Sequence, residues 1–258
     1  MKITINNKEI EIKQQGKTIL EIARENKIKI PTLCYHPSLK PYGSCRLCIV
    51  EIIKGPKPGL VTSCTYPVET DGLVIETDSE NVIKSRKFIL ELLLAQCPEA
   101  EIIQEMAKEY KITHTRFKIK KTENDKLKNC ILCGLCVRVC NEVIQQNVLS
   151  FVNRGAKRTI ATPFDKPYEY CLTCGACAYL CPTDVINTQD ILGIRKLTPF
   201  MNEQKLKKCK MCGKDFIPEI LSDKIKNKLN IEIESFQLCQ ECRKKQSVQK
   251  YICSTKIL

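Results

Sequence analysis

Eight cysteines between Cys130 and Cys181 carry the densest chemistry in the chain. They fall in two copies of C-x2-C-x2-C-x3-C, about thirty residues apart, and Pro182 follows the second copy. Three thiolates at every third position wrap a tight turn around one face of a cubane. The fourth, a short helical step further on, points away and reaches the other cluster. The spacing therefore assigns Cys130, Cys133, Cys136 and Cys181 to one [4Fe–4S] cluster, and Cys171, Cys174, Cys177 and Cys140 to a second. Gly134 and Gly175 occupy equivalent places in the two copies, where a side chain is expected to crowd a sulfide. Disulfide or zinc frameworks do not use eight cysteines in this doubled order.

Two further sets flank this stretch. Cys34, Cys45, Cys48 and Cys64 stand in C-x10-C-x2-C-x15-C spacing, a loop-rich four-thiolate arrangement that suits a [2Fe–2S] cluster, with structural zinc as the alternative. The loop must curl around the cluster and turn N–H groups toward its sulfurs, a task for Pro41, Gly43 and Ser44. The Cys45/Cys48 pair is expected to hold one iron, with Cys34 and Cys64 completing the shell. Near the C-terminus, Cys209/Cys212 and Cys239/Cys242 form two C-x2-C knuckles. Four thiolates satisfy a closed tetrahedral zinc site; a mononuclear rubredoxin-type iron or a cluster shared with a partner are the alternatives. Cys253 is left over.

The chain has 258 residues and 18 cysteines. Met1 runs directly into a strand pattern without a secretory signal, so these cysteines read as metal ligands in a reducing, cytoplasmic setting. No run of 18 apolar residues is present to span a membrane. The formal charge of +13 counts cysteines as neutral. With about −2 on each of four thiolate sites it falls to roughly +5, so much of the basic excess offsets bound anionic centres.

The elements that must position these ligands follow in order. Ile3, Ile5, Ile10 and Ile12 alternate with polar residues across Asn6-Asn7, a hairpin signal. Thr18 to Asn26 reads as a short helix with Ile19, Ile22 and Ala23 on one side. A long helix capped by Ser79 or Asp78 carries Val82, Ile83, Phe88, Ile89, Leu92 and Leu93. A second helix after Cys97 aligns Ile103, Met106, Ala107 and Tyr110. Val148 to Ala161 reads as a hairpin with its turn at Asn153-Arg154-Gly155, and Leu197-Thr198-Pro199 as a linker to a separate C-terminal unit. Pro218 to Leu229 is expected to be helical, and Arg243-Lys244-Lys245 solvated.

The paired motif is that of bacterial ferredoxins. Over residues 1 to about 190 the chain resembles the N-terminal region of the large iron–sulfur subunit of respiratory complex I. It also resembles the diaphorase iron–sulfur subunit of NAD-linked hydrogenases and formate dehydrogenases. The run C-Y-H-P-S-L-K-P-Y-G-S-C-R-L-C-I-V-E, Cys34 through Glu51, carries this resemblance; His36 matches a motif histidine without implying a ligand. The resemblance implies an α+β chain. A β-grasp [2Fe–2S] domain is expected over 1–80, a helical connector over 81–122, a two-[4Fe–4S] ferredoxin domain over 123–195, and a zinc-ribbon-like module with its tail over 200–258. One departure stands out. The relatives carry another [4Fe–4S] cluster on H-x3-C-x2-C-x5-C, whereas here Leu93, Ala100 and Met106 replace its other ligands around Cys97. Cys97 is therefore expected to be a buried thiol outside any cluster.

No G-x-G-x-x-G or P-loop occurs, and no flavin site is evident. The expected role is an electron-transfer subunit with no turnover site of its own. It would join a flavoprotein that binds NAD(P)H to a further redox subunit, in a NAD(P)- or ferredoxin-linked oxidoreductase, without nucleic acid and without a membrane span. Two alternatives come from other classes. One is a succinate-dehydrogenase-type iron–sulfur subunit, against which the x10 gap and the doubled motif argue. The other is a non-redox nucleic-acid-binding protein, which salt-sensitive binding would reveal.

Overall fold

The computed structural model describes residues 1–12, 14–119, 126–229 and 237–255. The N-terminal part is a five-stranded sheet. β1 (Lys2–Ile5) and β2 (Lys8–Glu11) form the hairpin expected from their alternation. Its turn residues Asn6 and Asn7 both have positive φ, 48° and 63°, the backbone twist that two-residue hairpins require. β3 (Ile49–Lys54), β4 (Gly59–Thr62) and β5 (Leu73–Glu76) complete the order β2-β1-β5-β3-β4, with β1 and β5 parallel. Helix α1 (Ile19–Glu25) starts on a capping box, Thr18 with Glu21. It buries Ile19, Leu20, Ile22 and Ala23 against Ile3, Ile5, Val50, Ile52 and Ile75. Each such large aliphatic side chain contributes about 2 kcal/mol, enough to fix the sheet that carries the first cysteine loop.

Helices α2 (Glu80–Gln96, capped by Ser79) and α3 (Glu101–Glu109) follow. The inner face of α2 is Val82, Arg86, Leu90 and Leu93. Ile83, Phe88 and Leu92, also apolar on this helix, are exposed; Phe88 meets Phe117 edge-on at 5.5 Å. Ile103 and Ala107 of α3 are buried as expected, with Met106 and Tyr110 packed beside them. The expected boundary at 122/123 lies outside the described residues, as does the side chain of Cys253.

The second half is built on two short helices, α4 (Leu135–Arg138, continuing as a π turn over Val139–Val143) and α5 (Ala176–Tyr179). Between them β6 (Ser150–Val152) and β7 (Thr159–Ala161) form the anticipated hairpin. Four antiparallel strands come next: β8 (Asn187–Ile191), β9 (Ile194–Thr198), β10 (Asn202–Lys208) and β11 (Asp215–Pro218). This meander corrects the reading of Leu197-Thr198-Pro199 as a linker. Leu197 and Phe200 are buried in the same core as the doubled cysteine motif, and β9 pairs with β10 across the proline. Asn202 and Gln204 of β10 donate side-chain hydrogen bonds to the carbonyls of Tyr168 and Cys171. The C-terminal segment thus grows out of the preceding one without a break. Helices α6 (Glu219–Leu229) and α7 (Gln240–Thr255) close the described chain.

Candidate iron–sulfur and metal sites

The first cysteine set lies on the loop before β3 and just beyond β4. The hairpin pairs Ile49 with Thr62 and extends to a Ser63 N–H bond to the Cys48 carbonyl, which brings Cys64 next to Cys48; their sulfurs are 3.3 Å apart. On the other side, the N–H of Cys45 donates to the Cys34 sulfur at 3.4 Å, and the N–H of Leu33 to the Cys45 sulfur at 3.4 Å. The sulfurs therefore pair as Cys34 with Cys45 and Cys48 with Cys64. This differs from the expectation that Cys45 and Cys48 would act together. The physical reason is the hairpin, a long-range constraint that the C-x2-C spacing does not contain. Cys34 is drawn down to about 6, first by its hydrogen bond with Cys45 and then by N–H groups of Cys45 and Ser44 and the nearby Arg138 guanidinium, against the cost of burial. Cys48 is likewise drawn down to about 6 by Cys64. Within each pair one thiolate is held ready, and its partner is pushed up by the same hydrogen bond.

Arg86 holds this loop from behind, a role the sequence reading missed. It is 1% exposed and donates to the carbonyls of Leu47 (3.0 Å) and Ile49 (2.6 Å), on either side of Cys48, and to Asp78 and the Tyr110 hydroxyl. A buried cation is tolerated only when its donors are used, and here they fasten α2 to the loop.

The doubled motif makes two apolar cavities. One is lined by Cys130, Cys133, Cys136 and Cys181, with Ile131 and Ile186 among its walls. The other is lined by Cys140, Cys171, Cys174 and Cys177, with Val148 and Leu197. The fourth cysteine of each copy faces the cavity of the other copy, the crossing that the spacing implies. Gly134 and Gly175 precede α4 and α5 with φ of 74° and 80°, a left-handed conformation that favours glycine. At Gly134 a Cβ would also sit 3.0 Å from Phe151. The backbone conformation favours glycine at both places, and the Phe151 ring adds a steric reason at Gly134. Burial pushes Cys133 up to about 12 and Cys171 to about 11, so loading a metal here must release protons. The four-cysteine donor set and the apolar walls suit a cubane in each.

Around Cys97 the side chains of Leu93 and Ala100 are buried in apolar packing, and Met106 packs beside them. These positions offer no cluster ligands.

The C-terminal four come together. The ligand atoms of Cys209, Cys212, Cys239 and Cys242 all lie within 4.8 Å of one another. The knuckle Cys209/Cys212 sits between β10 and β11, and Cys239/Cys242 at the start of α7. A tetrahedral zinc with bonds of about 2.3 Å spaces its sulfurs by about 3.8 Å; those of Cys212 and Cys239 are 3.7 Å apart. Burial opposes ionisation of Cys209, yet the N–H groups of Cys239, Cys212 and Met211 bring it down to about 6. Cys212 is exposed and the other three are buried.

Comparison with known proteins agrees with this geometry. Residues 1–80 match the 2Fe-2S iron-sulfur cluster binding domain, and residues 129–185 the 4Fe-4S dicluster domain. The chain is 34% identical to the NADP-reducing hydrogenase subunit HndD of Solidesulfovibrio fructosivorans, over 71% of this chain and 35% of that protein. It is 34% identical to the NADPH-Fe(3+) oxidoreductase subunit alpha of Geobacter sulfurreducens, over 71% of this chain and 24% of that one. An NADH-quinone oxidoreductase subunit of Rhizobium meliloti is 32% identical, over 72% and 24%. The chain thus spans about a third or less of these relatives. A crystal structure of an NAD+-reducing [NiFe]-hydrogenase in the H2-reduced state superposes with a TM-score of 0.54 at 28% identity, over 62% of this chain and 74% of that one. The chain carries a 2Fe-2S cluster-binding domain followed by a 4Fe-4S dicluster domain, and is homologous over that stretch to these hydrogenase and NAD(P)H oxidoreductase subunits.

Proposed function

We propose that the chain relays electrons within a multisubunit NAD(P)- or ferredoxin-linked flavin oxidoreductase, in the cytoplasm, between a flavoprotein that binds NAD(P)H and a further redox subunit. One observation carries the reading: the two cavities each gather three cysteines of one copy and the fourth of the other. Cys34 with Cys45 and Cys48 with Cys64 would hold a [2Fe–2S] cluster on a β-grasp domain, for which the order β2-β1-β5-β3-β4 around α1 is support. Cys130, Cys133, Cys136 and Cys181 would hold one [4Fe–4S] cluster; Cys171, Cys174, Cys177 and Cys140 the other. When bound, these groups supply one-electron storage at potentials that their surroundings set.

The chain's own work is positioning and insulation. Backbone N–H groups aimed at Cys34 and Cys45 stabilise charge on the sulfurs, and aliphatic walls exclude water from the cubane cavities. Ser44 donates to the Leu132 carbonyl at 3.2 Å, and the Leu132 N–H to the Cys130 sulfur at 3.4 Å. This short covalent and hydrogen-bonded route joins the first cysteine loop to the first cubane cavity. Cys209, Cys212, Cys239 and Cys242 would hold zinc as a closed structural site that docks a partner subunit.

Anaerobic metal analysis with EPR tests the assignment. About ten iron atoms and one zinc per chain are expected from the ligand sets. An iron content near fourteen would show a further cluster beside Cys97. A high-spin ferric signal at full occupancy would replace zinc by a rubredoxin-type iron.

A further inference from the structure

Arg138 is not a ligand, and cysteine spacing gives it no role. It stands on α4 between Cys136 and Cys140, which face different cubane cavities. Its side chain leaves both and crosses to the first cysteine loop. Nη2 donates to the carbonyl of Cys34 at 2.7 Å, and Nη1 to that of Lys40 at 2.5 Å. The guanidinium lies 5.3 Å from the centre of the Tyr42 ring. Tyr42 in turn stacks on Phe151, 6.3 Å between centres, and both rings press on Gly134. The residue is 8% exposed, and its Nε is buried without a hydrogen-bond partner. Among the described residues no carboxylate forms an ion pair with it. Glu142, the nearest acidic residue along its own helix, accepts from the Lys40 N–H instead.

A buried guanidinium without a counter-ion is costly. Carbonyl dipoles and a ring face recover part of that cost, but they do not neutralise it. Among the described residues, the adjacent Cys34 thiolate and whatever it holds offer the missing negative charge. A thiolate-bound iron–sulfur centre is anionic and gains one more negative charge on reduction. A fixed cation beside it favours the reduced form.

We propose that Arg138 is a positioning residue of the [2Fe–2S] site, whose fixed charge raises the potential of that site above what the cysteine loop alone would give. The inference rests on the cluster assignment of the preceding subsection. Its geometry also makes it selective. The cation touches the backbone of Cys34, whereas its own neighbours Cys136 and Cys140 point into other cavities, so the [2Fe–2S] site feels it most.

The test is an anaerobic EPR redox titration of the full chain with Arg138→Met and Arg138→Lys, alongside iron analysis. Methionine keeps an unbranched stem and loses the charge; lysine keeps the charge and loses the fork. In Arg138→Met the [2Fe–2S] midpoint is expected to move negative. At the wild-type midpoint its reduced-to-oxidised ratio should fall about tenfold, a shift of about 59 mV, with the cubane midpoints moving less. In Arg138→Lys the midpoint should stay near wild type. An unmoved midpoint in Arg138→Met, or an equal negative shift in Arg138→Lys, overturns the proposal. If Arg138→Met fails to hold iron, Arg138→Lys decides alone on the same criterion. Failure of the underlying assignment looks different, because the wild-type chain itself would then lack a [2Fe–2S] signal, and both readings would fall.

Discussion

At the residue scale the cysteines and the arginines behave differently as signals. Cysteine ligands announce themselves because a cubane needs donors every third residue along one turn, and that need is local in sequence. The crossing of Cys140 and Cys181 into opposite cavities could be read for the same reason. Replacing Cys181 with Ser should therefore alter the cubane held by Cys130, Cys133 and Cys136, although Cys177 is nearer in sequence; EPR of the reduced variant would show which signal changes, and loss of the other cubane alone would refute the crossing. Arg86 gave no such signal, because an arginine on a helix is ordinarily a solvated charge. Its four partners come from three separate segments. In Arg86→Met the carbonyls of Leu47 and Ile49 lose their buried donors. Unfolding of the N-terminal part should become easier by about 3 kcal/mol, the order for hydrogen bonds to a charged group. Denaturant titration followed by the [2Fe–2S] absorbance checks this; a change below about 0.5 kcal/mol would show that the clasp is dispensable.

At the element scale the sequence pattern located helices and hairpins well, and it failed where only tertiary context decides. The alternation of β1 and β2 and the asparagine turn between them required nothing beyond period and turn chemistry. The apolar residues placed α2 but did not single out its inner face, because the helix is apolar on more than one side and Arg86 occupies the buried one. The pairing of Cys48 with Cys64 was hidden for a related reason: it depends on strand register, not on spacing. The C-terminal knuckles lie on different elements, one at the β10–β11 turn and one at the start of α7. Removing their metal should release α7 while β10 stays paired with β9. A zinc chelator is then expected to lower the helical circular-dichroism signal and leave the cubane EPR signals unchanged. Parallel loss of a cubane signal would mean that the four-thiolate site supports the dicluster directly.

At the scale of the whole molecule the main revision concerns where the chain divides. Pro199 looked like part of a linker because X-Pro so often marks an exposed connection. Yet the strands on either side of it pair, and Leu197 and Phe200 sit in the core shared with the cysteine motif. Leu197 also lines the cavity of Cys140, Cys171, Cys174 and Cys177, and β10 supplies donors to the carbonyls of Tyr168 and Cys171. A chain ending at Thr198 keeps Leu197 but loses Phe200 and β10, the strand whose pairing holds β9, and Leu197 with it, against that cavity. Its iron content should fall from about ten toward about six atoms, the loss of one four-iron centre. A chain ending at Pro218 keeps all four strands of the meander and removes only the second knuckle and α6 and α7. It should retain about ten iron atoms by the same count and both cubane signals, while losing zinc and assembling poorly with partner subunits. Iron analysis and EPR of the two truncations separate the possibilities. Full iron in the shorter chain would restore the separate-unit reading, and loss of iron in the longer one would extend the dicluster's dependence to the C-terminal helices.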